Sequence, residues 1–254
     1  MGESVKLMSK DEQAMYRPLA MNVVTASRWF VEFPKEAIER LIGAGRVEKL
    51  SRGDILSRRG EPVKDLTIIL DGSFDVSVTS PEGKRLIQVM LESGQIMNLI
   101  PVLDEQPSIH DVKAHTDAVV LQIHREDFVG ESDKDPRVSR ALMRILCLRS
   151  RVLYASLVET AFLPLRVRCA RMLHLLMSRY GIKRGDSIEI SLKLSQEDLA
   201  DMIGRTRQSV NKELKVLERQ GVLRMAYSCF IIIDVKALTT IALSEGEVDL
   251  PDRF

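Results

Sequence analysis

The sequence predicts an α+β protein with an N-terminal antiparallel β-barrel of jelly-roll type, a long helix and a C-terminal winged helix-turn-helix. Three observations predict it. Between Val47 and His124, short apolar segments recur at near-regular spacing and are punctuated by glycine turns, as in an antiparallel barrel. Pro136–Phe162 then runs without glycine or an internal proline, long enough for about 40 Å of helix. Leu194–Gly221 reads as two amphipathic helices joined by a short glycine turn.

Taken in order, residues 1–22 show no clear period and are expected to form a mobile tail. Val23–Ala44 reads as helix broken at Pro34, with Trp29, Phe30, Ile38, Leu41 and Ile42 as packing residues. The barrel domain is assigned to residues 23–134. Its strand segments are Asp54–Leu56, Leu66–Leu70, Phe74–Val78, Leu86–Leu91, Val112–Ala114 and Val119–Ile123. Phe74, Val76 and Val78 alternate with Asp75, Ser77 and Thr79, the pattern of a half-buried strand. Residues 135–163 form the long helix, on which Leu142, Ile145, Leu146, Arg149, Leu153 and Ser156 could face a partner helix.

Pro164 interrupts the helical pattern and is the natural hinge into a domain of residues 164–243. Arg166–Ser178 is amphipathic, with Val167, Ala170, Leu173 and Leu176 on one side. Tyr180–Asp186 reads as a loop and Ser187–Leu194 includes a short strand. Beyond the two joined helices, Val222–Met225 and Phe230–Ile233 flank a turn and read as a β-hairpin wing. Val235–Leu243 reads as a last helix, and residues 244–254 as an acidic tail.

The Leu194–Gly221 stretch carries the chemistry. Ser195 with Glu197 and Asp198 is a helix start, Gly204 a stop, and Thr206 the cap of a second helix. Val210, Leu214 and Leu217 supply that helix's apolar face, while Gln208, Asn211, Lys212, Lys215 and Arg219 lie opposite. A second helix of this kind enters the major groove with its first turn near the bases, where Arg207 and Gln208 stand. Arginine makes paired bonds to guanine and glutamine to adenine, whereas lysine mainly meets phosphate. Double-stranded DNA is therefore the expected partner. A single recognition helix reads too few base pairs to be specific, so the long helix is expected to pair with a second copy.

Composition agrees. A chain of 254 residues with 45% apolar and 29% charged content can hold two domains with real cores. No apolar run has membrane-spanning length and no signal peptide is evident, so a cytoplasmic protein without membrane association is expected. Cys147, Cys169 and Cys229 are scattered and suit neither a zinc nor an iron–sulfur site. Arg166–Asp234 holds 13 Lys and Arg against 8 Asp and Glu, a net of +5 within a chain whose total is +1. A basic C-terminal domain behind a mildly acidic one suits a DNA reader attached to something else. No Ser-His-Asp order, metal-spaced set or phosphate loop stands out, so an enzyme is not expected.

From Trp29 to Leu243 the order of parts resembles the catabolite-activator and fumarate-nitrate-reductase family of bacterial regulators. Two blocks carry the resemblance: LSRGDILSRRGEPVKDLTIILDGSFDVSVTSPEGKRLIQVMLESGQ, residues 50–95, and LSQEDLADMIGRTRQSVNKELKVLERQGVL, residues 194–223. The resemblance implies a cyclic-nucleotide-binding-like barrel and a homodimeric transcription factor on a palindromic site that recruits RNA polymerase. Arg207, Gln208 and Lys212 match positions that touch base edges or nearby phosphates, and Ser209 matches a phosphate contact. Thr206, Asn211 and Lys215 complete the candidate DNA-binding set.

In the members that bind cyclic AMP, a glycine–glutamate pair and then an arginine–serine pair hold the nucleotide. The corresponding residues here are Asn98-Leu99 and Ile109-His110, and a Thr-Ser pair on the long helix corresponds to Leu153-Tyr154. A cyclic phosphate needs a guanidinium or a nest of amides, and a ribose hydroxyl needs a carboxylate. Leu99 and Ile109 offer neither, so an effector other than cyclic AMP is expected at these six residues. His110, His115 and His124 follow no ligand spacing. Haem and a cyclic dinucleotide stay open as effectors, as does a regulator with no effector whose barrel serves only dimerisation and polymerase contact.

Overall fold

A computed structural model of the chain describes residues 6–7, 10–226 and 229–244. The chain opens on β1 (Lys6–Leu7) and α1 (Lys10–Ala26), followed by α2 (Lys35–Ala44) with Pro34 at its N-cap. The strands of the roll are β2 (Arg46–Leu50), β3 (Ile55–Ser57), β4 (Asp65–Asp71), β5 (Ser73–Thr79), β6 (Arg85–Glu92) and β7 (Ile96–Met97). After α3 (Leu99–Asp104) come β8 (Asp111–Ala114) and β9 (Ala118–His124), and then α4 (Arg125–Lys134). The strands build two sheets, ordered β1-β2-β9-β4-β7 and β3-β8-β5-β6. The jelly roll is thus two facing sheets, not a closed barrel.

Alternation along β4 shows how the roll is filled. Leu66, Ile68 and Leu70 point to one side and join Phe30, Ile38, Leu41, Phe128, Val138 and Leu142 in a core between sheet and helices. Ile69 points to the other, where Leu50, Phe74, Val76, Leu91, Val112 and Val120 fill the space between the sheets. The strand is apolar on both faces because both faces are covered. Gly72 turns β4 into β5 at φ 87°, and a Cβ there would lie 2.4 Å from the Asp117 carbonyl oxygen. Only glycine fits that turn.

α1 corrects the expectation of a tail up to residue 22. Tyr16, Leu19, Ala20, Val23 and Val24 fall at helical spacing and pack on the helix-side core. Pro18, inside the helix, masks that period. Residues 1–5, 8–9 and the acidic tail from 245 onward lie outside the described residues.

The long helix α5 spans Pro136–Phe162, the expected bounds. Then come α6 (Leu165–Tyr180), β10 (Gly181–Arg184) and β11 (Ser187–Ile190), followed by α7 (Gln196–Ile203) and α8 (Arg207–Arg219). The chain continues through β12 (Leu223–Ala226) and β13 (Cys229–Ile232) to α9 (Val235–Leu243). The segment expected to loop after Tyr180 is in fact strand β10. All four of its residues are exposed at a sheet edge, so it carries no apolar alternation to read. These strands form a four-stranded sheet ordered β10-β11-β13-β12.

The described residues form two compact units. One runs to Val78 and takes in Gln88–Arg149; the other holds Thr79–Ile87 and the chain from Ser150. No described helix is long and apolar enough to cross a membrane.

Candidate nucleic-acid interface

The helix-turn-helix is built by local capping. Ser195 Oγ accepts from the Asp198 amide at 3.0 Å, and Asp198 Oδ2 accepts from the Ser195 amide at 2.9 Å. This capping box contributes about 1 kcal/mol to the start of α7. Gly204 ends α7 at φ 70°, the left-handed region that favours glycine. Thr206 Oγ1 accepts from the Ser209 amide at 3.3 Å and starts α8. Val210, Leu214 and Leu217 are fully buried, so the opposite face is fixed toward solvent.

That outward face is cationic and its start is free of acids. Thr206, Arg207, Gln208, Ser209, Lys212 and Lys215 are exposed. The first turn of α7 holds Glu197 and Asp198, whereas the first turn of α8 holds no acidic residue. A helix N-terminus attracts anions, and Arg207 there costs α8 about 0.3–1 kcal/mol against its dipole. A nearby phosphate offsets that cost.

Asn211 differs from its neighbours. It is half-buried, and its Oδ1 has no hydrogen-bond partner among the described residues. The Ser209 hydroxyl lies 2.8 Å from that of Thr206, the cap of α8. Glu213, an acid at the margin of the apolar face, meets Arg166 of α6 at 2.9 Å. Glu218 Oε1 accepts from the Met225 amide at 2.9 Å and ties α8 to the wing.

A groove of about 300 Å³ opens between the starts of α7 and α8 and the wing, lined by Ser195, Gln196, Glu197, Arg207, Met225 and Phe230 among others. Gln196 was not among the residues singled out by sequence. Its place at the first position of α7, beside Arg207, is the signal that could have found it.

The candidate effector residues divide between the two units. Asn98, Leu99, Ile109 and His110 belong to the first, whereas Leu153 and Tyr154 lie on the part of α5 in the second. Asn98 caps α3 in the left-handed region at φ 61°, and its Oδ1 accepts from the Ser57 hydroxyl at 3.1 Å. Leu99 is buried in the helix-side core, away from the space between the sheets. Ile109 is half exposed. Burial, with Arg59 nearby, pushes the His110 imidazole below its ordinary pKa. Leu153 and Tyr154 are exposed. Pro164 stands between α5 and α6 with φ −56° and ψ 148°, extended at the junction.

The seam on α5 needs correction. Leu142 and Ile145 are buried in their own unit, and Arg149 donates to the Ile96 carbonyl at 2.7 Å and lies over the Trp29 ring. Burial holds the Arg149 pKa down to about 10. One exposed stripe runs through Met143, Cys147, Ser150, Tyr154, Leu157 and Ala161, in alternating steps of four and three, and Leu153 of the expected seam is exposed beside it. Such steps repeat every 3.5 residues, the period of a two-stranded coiled coil.

The chain matches the cyclic nucleotide-binding domain over residues 47–135 and the Crp-like helix-turn-helix domain over residues 167–241. It belongs to the catabolite-activator and fumarate-nitrate-reductase (Crp/Fnr) family. A similar protein is the CRP-like cAMP-activated global transcriptional regulator of Mycobacterium tuberculosis, 25% identical over 74% of this chain and 84% of the relative. The anaerobic regulatory protein of Bacillus subtilis is 24% identical over 73% of this chain and 78% of its own length. In fold, the chain is similar to the c-di-GMP responsive global regulator CLP of Xanthomonas campestris, with a TM-score of 0.71. That likeness covers 80% of this chain and all of the other at 20% identity.

As a Crp/Fnr member, the protein is a transcriptional regulator with a DNA-binding helix-turn-helix and an effector-type domain. The cationic face of α8 then makes a prediction. Replacing exposed Lys215 by Ala should weaken binding to all DNA sequences alike and lower the slope of log affinity against log salt by about one per bound protomer. Titrations at several salt concentrations, on operator and scrambled duplexes, check it.

Proposed function

We propose that this regulator acts as a homodimer on a palindromic promoter site, with Arg207 and Gln208 of each α8 reading base edges. The observation that carries this reading is the acid-free start of α8, where both side chains stand exposed above a fully buried apolar face. In this reading Lys212 meets a base edge or adjacent phosphate, and Thr206, Ser209, Asn211 and Lys215 line the backbone. The roll, residues 23–134, is the effector-type domain, α5 the dimer helix, Pro164 the hinge and residues 164–243 the reader. RNA polymerase is the further partner.

The seam from Met143 to Ala161 supports the dimer. Met143, Tyr154 and Leu157 are 59%, 71% and 66% exposed, a costly display of apolar surface unless a second helix covers it. Cys147 lies on that seam and is exposed, whereas burial pushes the Cys169 thiol up to about 12. A short bismaleimide should therefore join two protomers through Cys147, and the Cys147→Ser variant should stay uncrosslinked. Only monomer after treatment of the wild-type protein would contradict the dimer.

We further propose that the effector is not cyclic AMP. The relative from Mycobacterium tuberculosis is named as cAMP-activated and the Xanthomonas regulator as c-di-GMP responsive. In this chain buried Leu99 and half-exposed Ile109 supply no carboxylate and no guanidinium for a cyclic ribose phosphate. The same observation favours a second reading, a regulator that needs no effector. Thermal melting with cyclic AMP, cyclic di-GMP and haem tests both, since only a ligand preferring the folded state raises the midpoint. No shift is expected with cyclic AMP. A rise of several degrees with another ligand would exclude the effectorless reading.

A further inference from the structure

We infer that the buried Glu159–Arg171 ion pair is the clamp that sets the hinge angle, and that the α6 arginines carry this angle to the recognition helix. The inference rests on the hinge and dimer reading above. Glu159 is on α5, five residues before Pro164, and Arg171 is on α6, seven after it. Their side chains are 9% and 11% exposed, and Arg171 Nη1 lies 3.2 Å from Glu159 Oε1. Two charges this buried have lost most of their water, so parting them costs more than parting an exposed pair. Proline restricts one torsion at the junction but leaves the others soft. A buried pair bridging the same junction therefore selects one angle among those that Pro164 permits.

α6 holds the reader through the same side-chain type. Arg171 also donates through Nε to the Ala242 carbonyl at the end of α9, at 2.7 Å. Arg168 donates to the Ile203 carbonyl in the last turn of α7. Arg166 meets Glu213 of α8 at 2.9 Å. Arginine suits this work because its planar fork serves two acceptors at once, and because last-turn carbonyls carry negative charge. α6 thus grips α5, α7, α8 and α9, and a change of the α5–α6 angle must move α7 and α8 with it. In a dimer that angle sets the separation of the two recognition helices, which must be about 34 Å for successive major grooves. Glu159 and Arg171 are positioning residues for base reading. Neither needs to touch DNA.

Half-site spacing is the readout that a merely structural pair would not move. Glu159→Gln keeps an acceptor for Arg171 but removes the charge, and Glu159→Leu/Arg171→Met replaces the pair with apolar groups of similar size. Each is titrated on three duplexes: an inverted repeat at its optimal spacing, the same repeat moved by one base pair, and a single half-site. Both variants should bind the optimal repeat about tenfold more weakly, within the usual size of a coupling. They should discriminate less against the shifted repeat and bind the single half-site within about twofold of wild type. An unchanged spacing profile in both variants, or an equal loss on repeat and half-site, would overturn the clamp. Pro164→Gly separates the two failures. If Pro164→Gly alone relaxes the spacing preference, the hinge stands and the clamp falls; if it also changes nothing, the hinge reading falls as well.

Discussion

Replacing Leu157 by Asp is expected to separate the protomers and to lower operator affinity by about 30- to 3,000-fold. Leu157 is the fifth of six positions along the exposed α5 stripe, and in a parallel pair of such helices its counterpart lies opposite it. The change puts two like charges into an apolar seam, each losing water without gaining a partner. A monomer keeps one recognition helix, hence about half of the logarithm of a specificity that runs from 10³ to 10⁷ for such regulators. Leu157 is 66% exposed in the single chain, so the melting of each protomer should change little. Light scattering, bismaleimide crosslinking at Cys147 and operator titration report mass, contact and affinity. A variant that remains dimeric and binds normally would show that α5 joins protomers elsewhere or not at all.

Arg207→Ala should cost about 1–3 kcal/mol at each half-site, and the loss should disappear at one base position. Arg207 is exposed in the first turn of α8, and removing a cation from a helix N-terminus relieves α8 of about 0.3–1 kcal/mol. The folded variant should therefore melt no lower than wild type, which separates this loss from unfolding. Titration against operators changed one pair at a time should show the variant indifferent at one position per half-site. Equal loss on operator and scrambled DNA would assign Arg207 to phosphate.

The reading head was legible because its instructions are local. Ser195, Gly204 and Thr206 cap or stop helices within a few residues of themselves, and α7 and α8 follow. α5 was legible in extent but not in orientation. It carries one stripe buried in its own unit, including Leu142 and Ile145, and another left exposed, including Met143, Tyr154 and Leu157. Both read as apolar at helical spacing, and only packing distinguishes them. The role of Glu213 was not legible for a related reason, since its partner Arg166 lies 47 residues earlier on α6. The clamp was invisible in the same way: nothing adjacent to Glu159 announces Arg171. In the effector-type domain, the residue types at Leu99 and Ile109 were legible, but the inward turn of Leu99 into the helix-side core was not.

Selection of bound duplexes from a random pool tests the central claim most directly, because it asks the intact protein what it reads. The account predicts enrichment of an inverted repeat whose half-site centres lie about 10–10.5 base pairs, or a multiple of that, apart. Each half-site should contain a guanine whose replacement no longer matters to the Arg207→Ala variant. Enrichment of a single asymmetric half-site, or no enrichment over the starting pool, would contradict it.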